Sequence, residues 1–319
     1  MQFYLAPMEA VTGYVYRNVY HSMFGDADKY FAPFLSPTQK KILKTRERKD
    51  VAPEHNVGMY MVPQILTNKS EQFTETCEFL FPLGYREVNL NLGCPAPTVV
   101  TKGKGSGFLG TPVALERFFD EIFEWNAARI ARERFEISVK TRIGLTDPEE
   151  FEELFQIYNK FPLKEIIVHP RVRTDFYKGS PNLDIFERIL ECCKAPICYN
   201  GDICTVDDYE KLTERFPQID KIMIGRGLVG NPGLIREIKT GKKIAKEEIM
   251  QYHNELYAGY LADLGAEKDV LFKMKELWFY LAVHFEHCDE IRKSIQKSKN
   301  PEEYKAMVKK VWSMAELYK

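Results

Sequence analysis

Glu87-Val88-Asn89-Leu90-Asn91-Leu92-Gly93-Cys94-Pro95 is an apolar, β-forming run that ends in a thiol on a loop, and the glycine-rich Lys102-Gly103-Lys104-Gly105-Ser106-Gly107 follows it. A rigid strand fixes where such a loop begins, and glycines let its backbone close over a ligand. Seven more short segments share the strand character: Phe3 to Ala6, Tyr30 to Pro33, Met59 to Ile65, Ile137 to Thr141, Glu165 to His169, Ile197 to Asn200 and Lys221 to Ile224. Helical stretches separate them, which is the pattern of a parallel α/β fold. Eight strands of this kind predict a (β/α)8 TIM barrel, with the second and third irregularly spaced.

A chain of 319 residues, 45% hydrophobic and 29% charged, has the make-up of a soluble globular protein with room for one large barrel. No apolar run approaches a membrane span. Met1 to Pro7 is apolar but lacks the basic region and long apolar stretch of a signal peptide, so it reads as the first strand of a cytoplasmic protein. Seven cysteines, an odd and scattered set, fit a reducing compartment. Cys192, Cys193, Cys198 and Cys204 lie close together, but they contain no C-x-x-C pair and Cys198 sits inside an apolar strand; buried inert thiols are expected, and no metal site.

Barrel enzymes build their sites at the carboxyl ends of the strands. Polar residues recur there: Met8 after strand one, Gln64 near the end of three, Asn91 and Cys94 after four, Lys140 ending five, His169 ending six, Asn200-Gly201-Asp202 at seven and Gly225-Arg226-Gly227 at eight. Singly, each has a bland reading. Lys140 could be a surface strand end, His169 a satisfied core histidine, and Gln64 a strand cap. Gathered on one rim they suit a polar heterocycle: a cation for negative charge, and an amide that donates to and accepts from a mixed ring edge. Gly225-Arg226-Gly227-Leu228-Val229-Gly230 matches the G-x-G-x-x-G dinucleotide pattern. In a Rossmann domain, however, that loop opens the first βα unit and needs parallel strands after it, whereas this chain turns helical. The loop suits instead the phosphate position after the last barrel strands.

After about residue 240 the pattern is helical. One stripe is Ile249-Met250, Tyr252, Leu256-Tyr257 and Leu261; a second is Val270-Leu271, Met274, Leu277-Trp278 and Leu281-Ala282; a third is Tyr304, Met307-Val308 and Val311-Trp312. Residues 1–239 are therefore expected to form the barrel and 240–319 a small helical bundle. The net charge of −1 gives no global attraction to nucleic acid, but Arg292 to Lys319 carries eight lysines and arginines against three acids. On charge alone that is a solvated helix face. Lys273, Lys275 and the basic residues from Arg292 to Lys299 are expected on outer faces, available to phosphates.

Six segments, in order and at compatible spacing, resemble the motifs of the tRNA-dihydrouridine synthases: Ala6-Pro7-Met8, Asn91-Leu92-Gly93-Cys94-Pro95, Val139-Lys140-Thr141-Arg142, Val168-His169-Pro170-Arg171, Asn200-Gly201-Asp202-Ile203 and Ile224-Gly225-Arg226-Gly227. The resemblance covers the barrel and the helical tail. It implies an FMN-dependent reduction of selected uridines in tRNA, with NADPH as electron source, and no membrane or obligate protein partner. It places Ala6, Pro7, Met8 and Gln64 against the flavin ring, Lys140 at its pyrimidine edge and His169 nearby. Asn200, Gly201, Asp202, Gly225 and Arg226 would hold the phosphate, with Asn91, Lys102 and Lys104 on the substrate side.

The same resemblance implies hydride addition to C6 of uracil and a proton needed at C5. Cys94 is the expected acid, since a thiol of pKa near about 8.5 is mostly protonated at neutral pH. A uracil in tRNA must leave its stack to reach the rim, so the RNA is expected to be held by its shape and phosphates. Gly13 stands where many relatives carry aspartate, and Gly233 where an aromatic is frequent. The rival readings are a flavin barrel reductase of a small enone or pyrimidine, and an RNA-binding barrel without catalysis.

Overall fold

A computed structural model describes residues 1–39 and 41–314; Glu316 and Lys319 of the basic tail lie outside the described residues. All strand pairs in its sheet are parallel, and the order around the sheet is the order along the chain. The strands are β1 (Gln2–Leu5), β2 (Lys29–Phe31), β3 (Met61–Val62, resumed after Pro63 as Gln64–Ile65), β4 (Glu87–Leu92), β5 (Glu136–Gly144), β6 (Ile166–Val172), β7 (Ile197–Tyr199) and β8 (Lys221–Ile224). Pro63 has no N–H to give the ladder and splits β3, which explains the irregular spacing. The half before it pairs with β2 and the half after it with β4, so the sheet closes across the break, and Pro63 still accepts the Asn89 N–H at 2.9 Å.

Helices cover the outside, so both faces of each strand are buried, and alternation decides what fills the barrel. Tyr4, Ala6, Phe31, Val62, Ile167, Cys198 and Met223 form the inner apolar cluster, separate from the larger core between sheet and helices. The same parity sends Gln64, Asn89, Asn91, Ser138, Lys140, His169 and Asn200 inward. At the amino-terminal end the barrel is plugged by charge. Lys29 Nζ lies 2.8 Å from Glu87 and 3.0 Å from Glu165, while Tyr60 and Tyr4 hydroxyls donate to Glu87 at 2.7 Å and Glu165 at 3.1 Å. Burial works against the ammonium, but the two carboxylates outweigh it and raise its pKa.

The chain then forms helices Lys246–Leu264, Glu267–Leu281, Cys288–Lys297 and Pro301–Met314, with all three apolar stripes turned mainly inward. Phe272 and Phe279, on the second helix, are exposed. At the centre Trp278 Nε1 donates to Tyr304 Oη at 2.9 Å, leaving the tyrosine hydrogen for His253 Nε2 at 2.7 Å and the His253 Nδ1–H for Asn254 Oδ1 at 3.0 Å. Burial lowers this imidazole to about 4, with Asn254 opposing in part. The first helix packs on the barrel helix Tyr14–Met23, where Tyr252 meets Tyr16 edge-on at 6.1 Å. Gly13, at the N-cap of that barrel helix, has no side chain to cap it; Asp50 supplies the carboxylate instead, accepting the Tyr14 N–H at 2.7 Å. Among the described residues no helix is long and apolar enough to cross a membrane.

Two measurements check this account. Lys29→Met leaves Glu87 and Glu165 buried without their cation and is expected to cost about 3 kcal/mol in urea unfolding; a loss near zero would mean the plug is solvated. Because His253 has its pKa depressed by folding, its stabilisation is complete above about pH 6.5 and drains away as pH falls towards 4. Urea midpoints are expected to fall across that window less steeply in His253→Gln than in the parent.

Candidate functional site

The loop after β4 is fixed by a strand side chain. Asn91 Oδ1 accepts the N–H groups of Gly93 at 3.1 Å and Cys94 at 2.9 Å, and its Nδ2 donates to Gln64 Oε1 at 2.7 Å. Gln64 Nε2 donates to Asn89 Oδ1 at 2.8 Å, and Asn89 to Ser138 Oγ at 2.9 Å. Four inward side chains from β3, β4 and β5 thus form one ladder beneath Cys94. The Cys94 carbonyl is held by Ser106, through its N–H at 3.1 Å and its hydroxyl at 2.8 Å. Burial raises the thiol's pKa; the Ala96 N–H and the cations Lys140 and Arg142 pull the other way without prevailing. Cys94 is therefore a protonated thiol at neutral pH.

Lys140 and His169, expected at strand ends, lie within β5 and β6, which continue to Gly144 and Val172. Their inward parity, rather than a loop position, brings them to the mouth. Lys140 is the register partner of Asn91 and has no hydrogen-bond or ion-pair partner among the described residues. Burial, seconded by Arg142, lowers it to about 8. His169 is held neutral, its pKa lowered by burial and by Arg142, Lys140, Arg171 and Arg226 around it.

Asn200 donates to the Met223 carbonyl at 2.8 Å, tying the β7 loop to β8. Gly201 is needed for space, since a Cβ there would fall 2.0 Å from Tyr199 Oη. Asp202 is gripped by Arg171, at 3.0 and 2.5 Å, and by Arg226. Burial tends to raise its carboxyl, but the two guanidiniums overcome that and lower it. A Cβ on Gly225 would touch Ala6 Cβ at 3.4 Å and Met8 Sδ at 3.5 Å, so the first and last strand loops meet. The Ala6-Pro7-Met8 turn is closed by Thr12, whose Oγ1 accepts the Met8 N–H at 2.7 Å.

Lys102 and Lys104 lie on the neighbouring loop. Asn68 holds the Lys102 carbonyl at 3.1 Å, and Lys104 Nζ is 3.5 Å from the Pro37 carbonyl. Burial lowers the Lys104 ammonium, and Lys102, Lys69 and Lys44 lower it further, which marks a cluster of four lysines on three rim loops. Lys44 and Lys69 had no motif to reveal them. Lys273 and Lys275, by contrast, are not the free outer cations expected: they donate to the carbonyls of Ala10 at 2.6 Å, Gln296 at 3.1 Å and Ser298. Lys293, Lys297, Lys299, Lys309 and Lys310 are exposed.

Three more residues shape the mouth. Arg142, 1% exposed, spends its guanidinium on the carbonyls of Gly93 at 3.0 Å, Val172 at 2.8 Å and Phe176 at 2.7 Å, lashing the β4 loop to the β6 loop. Phe176 has φ +51°, a strained backbone for a non-glycine residue, and Tyr177 after it is exposed. The Tyr177 ring lies 4.8 Å from Arg226, 5.6 Å from Arg142 and 6.2 Å from His169. Inward alternation with Lys140 and His169 was the available signal for Arg142 and Arg171; nothing in the sequence singled out Tyr177. Taken together, the described residues of the mouth carry more cationic and N–H donor groups than carboxylates. An unpartnered ammonium on the wall and a guanidinium beside Gly225 fit a ligand with an electron-rich ring and a phosphate.

The barrel resembles two solved structures in fold: morphinone reductase in complex with tetrahydroNAD (TM-score 0.53, 13% identity, 76% of this chain and 88% of that one) and the old yellow enzyme from Trypanosoma cruzi (0.52, 10%, 81% and 93%). In sequence the chain is 29% identical over 289 residues to a tRNA-dihydrouridine(16) synthase of Ralstonia nicotianae, covering 89% of this chain and 82% of that protein. It is 28% identical to the probable tRNA-dihydrouridine synthase 2 of Bacillus subtilis, over 96% and 92% of the two. The family model for dihydrouridine synthase matches residues 4–316, from within β1 past the helix Pro301–Met314, and on that match the chain belongs to the dihydrouridine synthase family.

Proposed function

We propose that the protein reduces the C5=C6 bond of selected uridines in tRNA to 5,6-dihydrouridine, using FMN and NADPH. The observation that carries this reading is a thiol kept protonated on a fixed loop, Cys94, above an unpartnered lysine, Lys140, in the mouth of a barrel. Residues 1–239 carry the chemistry and 240–319 hold the RNA.

Ala6, Pro7, Met8, Gln64, Lys140 and His169 would hold the ring of FMN, and Arg226 with the Gly201 and Gly225 loops its phosphate. Asn200 and Asp202 serve by fixing those loops and Arg226. When bound, FMN takes a hydride from NADPH and supplies one to C6 of the uracil. Lys140, already pushed towards neutrality by burial, would supply the positive charge at the edge of a bound electron-rich ring. As C6 accepts hydride, negative charge grows at C5 and the C4 oxygen; Cys94 Sγ–H gives its proton to C5, and the thiolate recovers one from solvent. Arg142 keeps Cys94 in place by holding the Gly93 carbonyl. Asn91 fixes the loop and has one amide hydrogen left for the base.

A base splayed out of the RNA can stack on the exposed ring of Tyr177 at the rim. The lysine cluster of Lys44, Lys69, Lys102 and Lys104 stands beside the Cys94 loop and suits the flanking phosphates.

The test is anaerobic. The bound flavin is bleached with NADPH, excess donor is removed, and unmodified tRNA is added while flavin absorbance is followed. Recovery with tRNA is expected in the parent; in Cys94→Ala the flavin and its bleaching by NADPH persist, while recovery with tRNA slows by about 10²-fold or more. Recovery at the parental rate in the variant would remove Cys94 from the chemistry, and a protein that binds no flavin would sink the reading altogether. A second check uses iodoacetamide and mass spectrometry of the Cys94 peptide against pH. Because burial raises this thiol, its alkylation midpoint is expected above that of free cysteine; a midpoint below it would make Cys94 a nucleophile rather than an acid.

A further inference from the structure

Arg171 is buried to 1% exposure, and all five of its N–H groups are used. Nε donates to the Lys178 carbonyl at 3.3 Å; Nη2 donates to Asp202 Oδ2 at 2.5 Å and to the Gly179 carbonyl; Nη1 donates to Asp202 Oδ1 at 3.0 Å and faces His169 Nε2 at 3.1 Å. A guanidinium has hydrogens to give and no lone pair to accept with. The contact with His169 can therefore be a hydrogen bond in one sense only, with Nε2 as the acceptor. An Nε2–H, whether in the other neutral tautomer or in the imidazolium, would set hydrogen against hydrogen at that distance.

We propose that Arg171 is a positioning residue that locks His169 as the neutral tautomer protonated on Nδ1, so that the imidazole presents an N–H donor to the ligand in the barrel mouth. Nδ1 has no partner among the described residues, and that donor is open. The surroundings agree: the charged groups facing the ring are Lys140, Arg142, Arg171 and Arg226, which disfavour an imidazolium, and Asp202, whose carboxylate is taken by Arg171 and Arg226. Arg171 is itself held by Asp202, which also holds Arg226. The ring end and the phosphate end of the mouth are thereby joined through one carboxylate.

What the Nδ1–H meets rests on the flavin reading of the mouth; it would be an acceptor on FMN, a ring nitrogen lone pair or a carbonyl oxygen. The tautomer does not rest on that reading. With the Nε2 lone pair taken by Arg171 and Nδ1 carrying its proton, His169 has no free lone pair with which to activate Cys94, in keeping with a thiol that acts as an acid.

The full-length protein, labelled with ¹⁵N at histidine, gives the answer by long-range ¹H–¹⁵N correlation. His169 is one of six histidines and is assigned by its loss in His169→Gln. The expected result is a neutral Nδ1–H pattern, unchanged between about pH 6 and pH 8, where an ordinary imidazole titrates. In Arg171→Met the pattern is expected to become a mixture of tautomers or to titrate, and Arg171→Lys, which keeps a donor and a charge, restores it at least in part. An Nε2–H or imidazolium pattern in the parent overturns the proposal, and so does an unchanged His169 signal in a folded Arg171→Met. The parental spectrum decides even if that variant does not fold. FMN titration is the separate arm: about tenfold weaker binding is expected for Arg171→Met. A parent that binds no FMN would defeat the flavin reading and leave the tautomer result standing.

Discussion

The carboxamide of Asn91 is the joint on which the site turns. A barrel interior is a packed core, and polar groups inside it are costly unless paired. Asn91, Gln64, Asn89 and Ser138 satisfy one another across three strands, and the oxygen left at the top of the ladder receives the N–H groups of Gly93 and Cys94. The Cys94 loop is thus tied to strand side chains instead of depending on its own stiffness. Gln64 follows Pro63, the residue at which β3 loses its ladder bond, so the side-chain ladder starts where β3 is broken.

Charge is distributed along the barrel axis in two opposed ways. At the amino-terminal end Lys29 is matched by two carboxylates and two tyrosine hydroxyls, a closed arrangement that asks for nothing more. At the carboxyl end, Arg171 and Arg226 share the Asp202 carboxylate, Lys140 has no partner among the described residues, and the imidazole among these cations and Arg142 is driven neutral. Buried cations without partners weaken a fold. Lys140, lowered to about 8, is the one of these four with no partner among the described residues, and on the function proposed its counter-charge would arrive with the ligand. Arg142 and Arg171 avoid part of that cost by saturating themselves with main-chain carbonyls, and in doing so they fix the loops on either side of Lys140 and His169.

Eight strands, the helical tail and the polar residues at the rim could be read because strands covered on both faces appear as apolar runs, and a Lys or His inside such a run can only point inward. What could not be read depended on partners remote in sequence. Strands β5 and β6 overrun their expected ends because Arg142 and Arg171, polar but inward, continue the alternation. Asp50 caps the helix that Gly13 leaves uncapped, a substitution visible only once two segments are brought together. The basic tail was legible as charge but not as availability: Arg292 donates to the Phe279 carbonyl and pairs with Asp289, and Lys305 is taken by Glu267 and Glu302.

The helical region does more than present charge. Lys273 donates to the carbonyl of Ala10, a residue held at φ +66°, and Tyr260 Oη lies 3.5 Å from the carbonyl of Val11. Those two residues lie between the Ala6-Pro7-Met8 turn and Thr12, which closes it. A non-glycine residue in that backbone region persists only where its surroundings hold it. Two of the holding groups come from the helical region, so the first loop of the barrel mouth takes its shape partly from the element that follows the barrel. Separating the two would therefore change the mouth as well as remove a surface, because the turn that meets Gly225 across the site is braced from outside the barrel.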